Sequence, residues 1–178
     1  MQGVEVRAKI TDVEAIKSRL VLLWYSFSQP LFQQDRTYLS NDLLFTDIQQ
    51  GTVIIKIRNS NGKYTLMLKK RGETKFDNIE REVTIDDSDQ AAEILKYMWY
   101  YQVVEVSKVR WRCSYNNITI CLDEVEGLGS FIKVERLIDA DDVQAAENLS
   151  SFLENLWVSA DDYVSQSYDD MIYHQRGT

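Results

Sequence analysis

The chain has 178 residues, 44% of them hydrophobic and 27% charged, which suits one compact domain with a real core. Its net charge of −8 argues against a general binder of nucleic acid or anionic membrane, and no apolar run reaches the ~20 residues a spanning helix needs. A single histidine, His174, makes a Ser-His-Asp or Cys-His nucleophile system and a His-rich zinc site poor readings.

From the N-terminus, Gly3–Ile10 alternates charged and apolar residues and predicts a strand with Glu5, Arg7 and Lys9 on one face. Thr11-Asp12-Val13-Glu14 has the pattern of a capping box. It opens a helix to about Ser26 whose apolar positions are Val13, Ile16, Leu20, Leu23, Trp24 and Phe27. Pro30, the only proline, closes this segment.

Strands are predicted at Gln34–Ser40 and Thr52–Asn59, the second turning through Ser60-Asn61-Gly62-Lys63 into Lys63–Lys70. Glu80–Ile85 reads as a strand, and Ser88 to about Tyr101 as a helix. Val103–Tyr115 and Ile118–Val125 form a hairpin around Asn116-Asn117, and Phe131–Leu137 follows the Gly127–Gly129 turn. Helices at about Asp141–Leu156 and Asp161–Tyr173 end the chain. The expected fold is α+β, a single domain of antiparallel strands with helices packed outside. The aromatic run Tyr97–Tyr101 is read first as helix packing, with a homodimer surface as the other use.

Strand parity then collects charge. Lys56 and Arg58 share a face, as do Glu80 and Glu82, and Lys108, Arg110 and Arg112. With Glu5, Arg7, Lys9, Lys69, Asp123, Lys133 and Glu135 they make nine basic and five acidic groups on strand faces of a protein that is acidic overall. Alternating charge on one strand usually means a solvated face, but so many strands sharing the pattern point to an enclosed polyanion site. Any metal would rest on carboxylates, which favours magnesium or manganese. Neither a GxGxxG nor a Walker-type phosphate loop is present. Cys113 and Cys121 read as two reduced core thiols. The absence of a recognisable leader makes the cytoplasm the expected compartment.

These segments resemble the CYTH-domain family, which includes class IV adenylyl cyclases, thiamine triphosphatases and other triphosphate tunnel metalloenzymes. Glu5-Val6-Arg7-Ala8-Lys9-Ile10 resembles the family's ExExK strand, and Gln34-Asp35-Arg36-Thr37-Tyr38-Leu39 the segment found in cyclase-like members. Lys56-Ile57-Arg58 and Leu66-Met67-Leu68-Lys69 resemble its paired basic strands, and Glu80-Arg81-Glu82-Val83 its central acidic strand. Lys108-Val109-Arg110-Trp111-Arg112 resembles its late basic strand. The most specific match runs from Leu122 to Phe131, and Ser167-Tyr168 resembles the terminal helix.

The resemblance implies an eight-stranded antiparallel β-barrel, or tunnel, that grips a triphosphate with basic residues and holds divalent cations with acidic ones. Carried over by position, Glu5, Glu80, Glu82, Asp123 and Glu135 are metal candidates for Mg2+ or Mn2+. Lys56, Arg58, Lys69, Lys108, Arg110, Arg112 and Lys133 are substrate contacts, and Glu5, Arg7, Lys9 and Glu82 are catalytic candidates. The implied substrate is a nucleotide or other triphosphate. The implied activity is cyclase-like, with triphosphate hydrolysis and non-catalytic polyphosphate binding as the alternatives. The pattern departs at Gly3 and Lys133, where the family carries glutamates, and at Arg7, where it carries lysine.

Overall fold

A computed structural model of the chain describes residues 2–72, 79–115, 117–138 and 144–176. Among the described residues eight strands, all in antiparallel pairs, combine with four α-helices in an α+β fold. The strands are β1 (Gln2–Ile10), β2 (Leu31–Ser40), β3 (Val53–Ser60), β4 (Lys63–Lys70), β5 (Ile79–Ile85), β6 (Tyr100–Tyr115), β7 (Ile118–Val125) and β8 (Gly129–Ile138). The helices are α1 (Val13–Leu22), α2 (Ser88–Tyr97), α3 (Ala145–Asn155) and α4 (Tyr168–Arg176). The chain divides into two compact units, Met1–Leu31 with Lys108–Ser167 and Phe32–Ser107 with Tyr168–Thr178.

In the first unit the strand order is β1-β8-β7 followed by the second half of β6. Period-two alternation puts Ala8, Ile10, Ile120, Leu122, Ile132, Val134 and Cys113 on one face. Leu20 of α1 and Leu149 and Leu153 of α3 cover them, all fully or nearly fully buried. Each such leucine contributes about 1.5–3 kcal/mol of transfer free energy, so burial of this side fixes the register of the strands in the first unit. The opposite face keeps the charges.

In the second unit the first half of β6 is followed by β2-β3-β4-β5. Its apolar face, with Tyr38, Ile55 and Ile57, packs under Ala92 and Leu95 of α2. Asp87 caps α2 by accepting from the Asp89 and Gln90 amides at 2.8 and 2.9 Å. Asn61-Gly62 makes the β3–β4 turn with φ of 49° and 83°, as its dipeptide signal requires.

Several boundaries differ from the sequence reading. The N-cap of α1 is Asp12 rather than Thr11, with its carboxylate accepting from the Ala15 amide at 2.9 Å, and α1 stops at Leu22 rather than Ser26. Trp24 adopts φ 69°, which ends the helix, and Trp99 at φ 67° likewise ends α2 at Tyr97, so Tyr100 and Tyr101 belong to β6. Tyr97, Met98 and Trp99 are therefore exposed rather than packed. The first residues of the expected Asp141–Leu156 helix lie outside the described residues, as does Asn116 of the β6–β7 turn.

No helix runs from Asp161. A 3-10 turn at Ala160–Asp162 is followed by extended chain in which Val164 N–H donates to Arg7 O at 2.8 Å. β1 is the end strand of its unit, and an unpaired edge competes for backbone donors that a helix would use internally.

Candidate functional site

The charged faces assemble through cross-strand register. In the first unit Arg110 lies directly opposite Asp123, Arg112 opposite Cys121 and Lys108 opposite Val125. Across β7 and β8 Asp123 meets Phe131 and Cys121 meets Lys133. Across β1 and β8 Lys9 meets Phe131, Arg7 meets Lys133 and Glu5 meets Glu135. One sheet face thus carries Glu5, Arg7, Lys9, Lys108, Arg110, Arg112, Asp123, Lys133 and Glu135, as the parity reading expects. Cys121 is buried on this face, not in the apolar core that holds Cys113.

The second unit repeats the device. Asp35 lies opposite Arg58, Thr37 opposite Lys56, Lys56 opposite Met67, Lys69 opposite Glu80 and Met67 opposite Glu82. An arginine–aspartate fork stands in each unit. Arg58 Nε and Nη2 donate to the two Asp35 oxygens at 2.6 and 2.8 Å, and Arg110 Nε and Nη2 donate to the two Asp123 oxygens, both at 2.6 Å. Such a fork uses two of a guanidinium's five N–H donors and fixes its plane. Asp35 is a site residue the sequence reading passed over. The signal available was parity, which puts Asp35 on one strand face with Gln33 and Thr37; the structure buries all three.

Asp169, in the first turn of α4, was also missed. Its carboxylate accepts from Thr37 Oγ1 at 2.9 Å and pairs with the Lys56 ammonium. Nothing in the spacing of the terminal helix tells which strand it would reach.

At the β1–β8 ladder Lys133 Nζ donates to Glu5 Oε2 at 2.9 Å and to Glu135 Oε2 at 3.2 Å, and Arg7 Nη2 donates to Glu5 Oε1 at 2.6 Å. Burial opposes ionisation of Glu5, but Lys133 and then Arg7 outweigh it and hold the carboxyl below its usual range. Burial likewise works against the Lys133 charge, and Glu5 followed by Glu135 outweighs it, raising that pKa.

Four of the five carboxylates expected to hold metal are thus paired with side-chain cations, and the fifth, Glu82, is exposed on β5. Asp123 has no exposed surface and both its oxygens on Arg110, while Glu5 and Glu135 share Lys133. Glu80 pairs with Lys69 at 2.8 Å on the exposed strand β5, where Glu82 lies opposite Met67. Among the described residues no group of three or more His, Cys, Asp or Glu side chains is arranged to hold a metal ion. This donor set does not fit a protein-held divalent centre.

The fold has counterparts among known proteins. A model of the CYTH domain matches residues 1–168. The chain belongs to the CYTH-domain family. A Methanocaldococcus jannaschii protein provisionally named an adenylate cyclase is 27% identical to it, over 94% of this chain and 97% of that one. The solved structure of a Pyrococcus horikoshii protein is 27% identical with a TM-score of 0.78, covering 98% of this chain and 99% of that one. A Hippeastrum protein, described as a provisional adenylyl cyclase with dominant triphosphatase activity, shares the fold at 15% identity and a TM-score of 0.67. That match covers 99% of this chain and 96% of the other. No helix among the described residues of this CYTH-domain protein is long and apolar enough to cross a membrane.

Proposed function

We propose that this CYTH-domain protein binds the triphosphate of a nucleotide or related compound on its basic strand faces and acts on it as a class IV adenylyl cyclase-like enzyme. The observation that supports this reading best is the common face of Arg7, Lys9, Lys108, Arg110, Arg112 and Lys133 in the first unit. Six cations on one sheet face against three carboxylates favour a polyanion, and guanidinium groups held flat by aspartates suit phosphate oxygens. The cyclase class of the proposed reaction is taken from the Methanocaldococcus jannaschii relative, which is provisionally named an adenylate cyclase.

In the proposed reaction a ribose hydroxyl loses its proton to solvent as its oxygen displaces pyrophosphate in line, and the basic face stabilises the charge that builds on the leaving oxygens. Glu5 is poorly suited to general-base work, because its neighbours hold it ionised and so weaken its pull on a proton. The residues accordingly supply binding, orientation and electrostatic stabilisation. Magnesium or manganese enters this reading as the counter-ion that a triphosphate brings with it. The same face would serve hydrolysis with water as the nucleophile, the activity ascribed to the Hippeastrum protein.

Incubation with ATP, inorganic tripolyphosphate and thiamine triphosphate, each with magnesium or manganese, tests the reading. Cyclic AMP plus pyrophosphate from ATP supports the cyclase. Orthophosphate release supports the hydrolase. No product from any of the three, with retained tripolyphosphate binding, leaves a binding module.

A further inference from the structure

Glu5 and Glu135 face each other directly across β1 and β8 on the charged side of the sheet. Two carboxylates so placed repel unless a cation lies between them, and that cation is either a bound hard ion or a side chain of the protein. Here it is a side chain. Lys133 reaches one oxygen of each carboxylate, at 2.9 and 3.2 Å. Arg7, its direct partner across the ladder, takes the other oxygen of Glu5 and is itself anchored on Gln166 O at 2.5 Å. The four side chains carry two charges of each sign. A divalent ion entering here would have to displace an ammonium that is mostly buried and would then be left uncompensated.

We propose that this cluster is a built-in cation site. The Lys133 ammonium occupies the place between Glu5 and Glu135 that a divalent ion would take, so the charged face of the first unit binds inorganic or organic polyphosphate without a protein-held metal. The proposal rests on the triphosphate reading above and specifies how that face is neutralised. With the four-residue cluster balanced, Lys9, Lys108, Arg110 and Arg112 set against Asp123 leave the rest of the face basic toward an incoming anion. Without the lysine charge the cluster would hold two carboxylates against Arg7 alone, and its net negative charge would favour a divalent ion between Glu5 and Glu135 when phosphate binds. Lys133 is thus a specificity-determining residue that sets the metal requirement of binding.

Calorimetry with the full chain and inorganic tripolyphosphate tests this, in EDTA and again in excess magnesium. The wild type is expected to bind in EDTA with an affinity within about threefold of the magnesium value, because the salt-bridged ammonium already supplies the cation. Lys133→Gln is expected to lose roughly tenfold or more in EDTA and to recover most of that with magnesium or manganese. It should also bind manganese alone, without phosphate, more tightly than the wild type does. Lys133→Arg should retain binding in EDTA, and it carries the test should the glutamine variant fail to fold. Wild-type binding that appears only with magnesium would overturn the proposal and leave the triphosphate reading standing. Equal manganese affinity in wild type and Lys133→Gln would also overturn it. An absence of tripolyphosphate binding under both conditions would remove both readings.

Discussion

Arg110 and Asp123 face each other across β6 and β7, joined by two hydrogen bonds of 2.6 Å, with the aspartate fully buried. This pair does for the first unit what Arg58 and Asp35 do for the second. In both, a carboxylate orients a guanidinium on a charged face. A buried charge pair of this kind is expensive to break and of uncertain net stabilising value, so its presence is better explained by what the arginine is positioned to do.

Asp123→Ala should therefore destabilise the protein by about 3–5 kcal/mol, because it removes the carboxylate that pairs with a partly buried guanidinium. Urea unfolding followed by circular dichroism measures this. The double variant Asp123→Leu with Arg110→Met should recover much of the loss. A single variant as stable as the wild type would show that the pair has no structural role.

Arg58→Ala and Arg110→Ala should each weaken tripolyphosphate binding by about 1.5–3 kcal/mol, the range for hydrogen bonds to charged groups. Lys17→Ala is the control. Lys17 lies on α1 with Glu14 at 3.3 Å and its ammonium over the Trp111 ring, on the helix-covered side of the sheet. Calorimetry in which both arginine variants match the wild type would remove the basic faces as the binding surface.

Lys56 is neutralised by Asp169 from α4. Asp169→Asn should increase tripolyphosphate affinity several-fold by releasing the lysine from its carboxylate. It should also lower stability, since α4 loses a charged anchor. Tighter binding together with a lower thermal midpoint is the expected pair of results, and unchanged affinity would show that Lys56 takes no part in binding.

The Glu5–Lys133 pair gives stability a pH dependence of definite sign. Glu5 is depressed in the folded state, so its contribution is present above the ordinary carboxylate pKa and is lost as pH falls through the lower folded value. Lys133 is raised, so its contribution is present below the ordinary lysine pKa and is lost as pH rises through the higher folded value. Glu5→Gln should flatten the acid limb of a stability profile and leave the neutral region lowered. An acid limb identical to that of the wild type would contradict the pairing.

Burial pushes the Cys113 thiol up to about 12 and raises that of Cys121 as well, in spite of Arg110 nearby. The thiolate is the reactive form, so neither cysteine should react with an aromatic disulfide reagent in the native protein at neutral pH, and both should react in denaturant. Rapid native labelling of Cys121 would show that the charged face admits solvent at that depth.

The residue order by itself determined which strand faces carry charge. A strand has a period of two, and once Ala8, Ile120 and Ile132 must be buried, Lys9, Cys121 and Phe131 have no choice of side. The alternation of β1, β6 and β8 therefore placed Glu5, Arg110 and Lys133 on one face before any coordinates existed, and the motif resemblance supplied the family. Helix ends were less legible, because Trp24 and Trp99 stop their helices with a left-handed residue that composition assigns to glycine. What only the tertiary structure decided is which opposite charges meet. Register across β1 and β8 sets Glu5 against Glu135, and side-chain reach then puts Lys133 between them. The path of the chain after Ser159 brings the carboxylate of Asp169 to Lys56. These contacts depend on pairing distances between residues far apart in sequence, so local periodicity carries no information about them. They alone separate a carboxylate free to chelate a cation from one already neutralised by a neighbouring side chain.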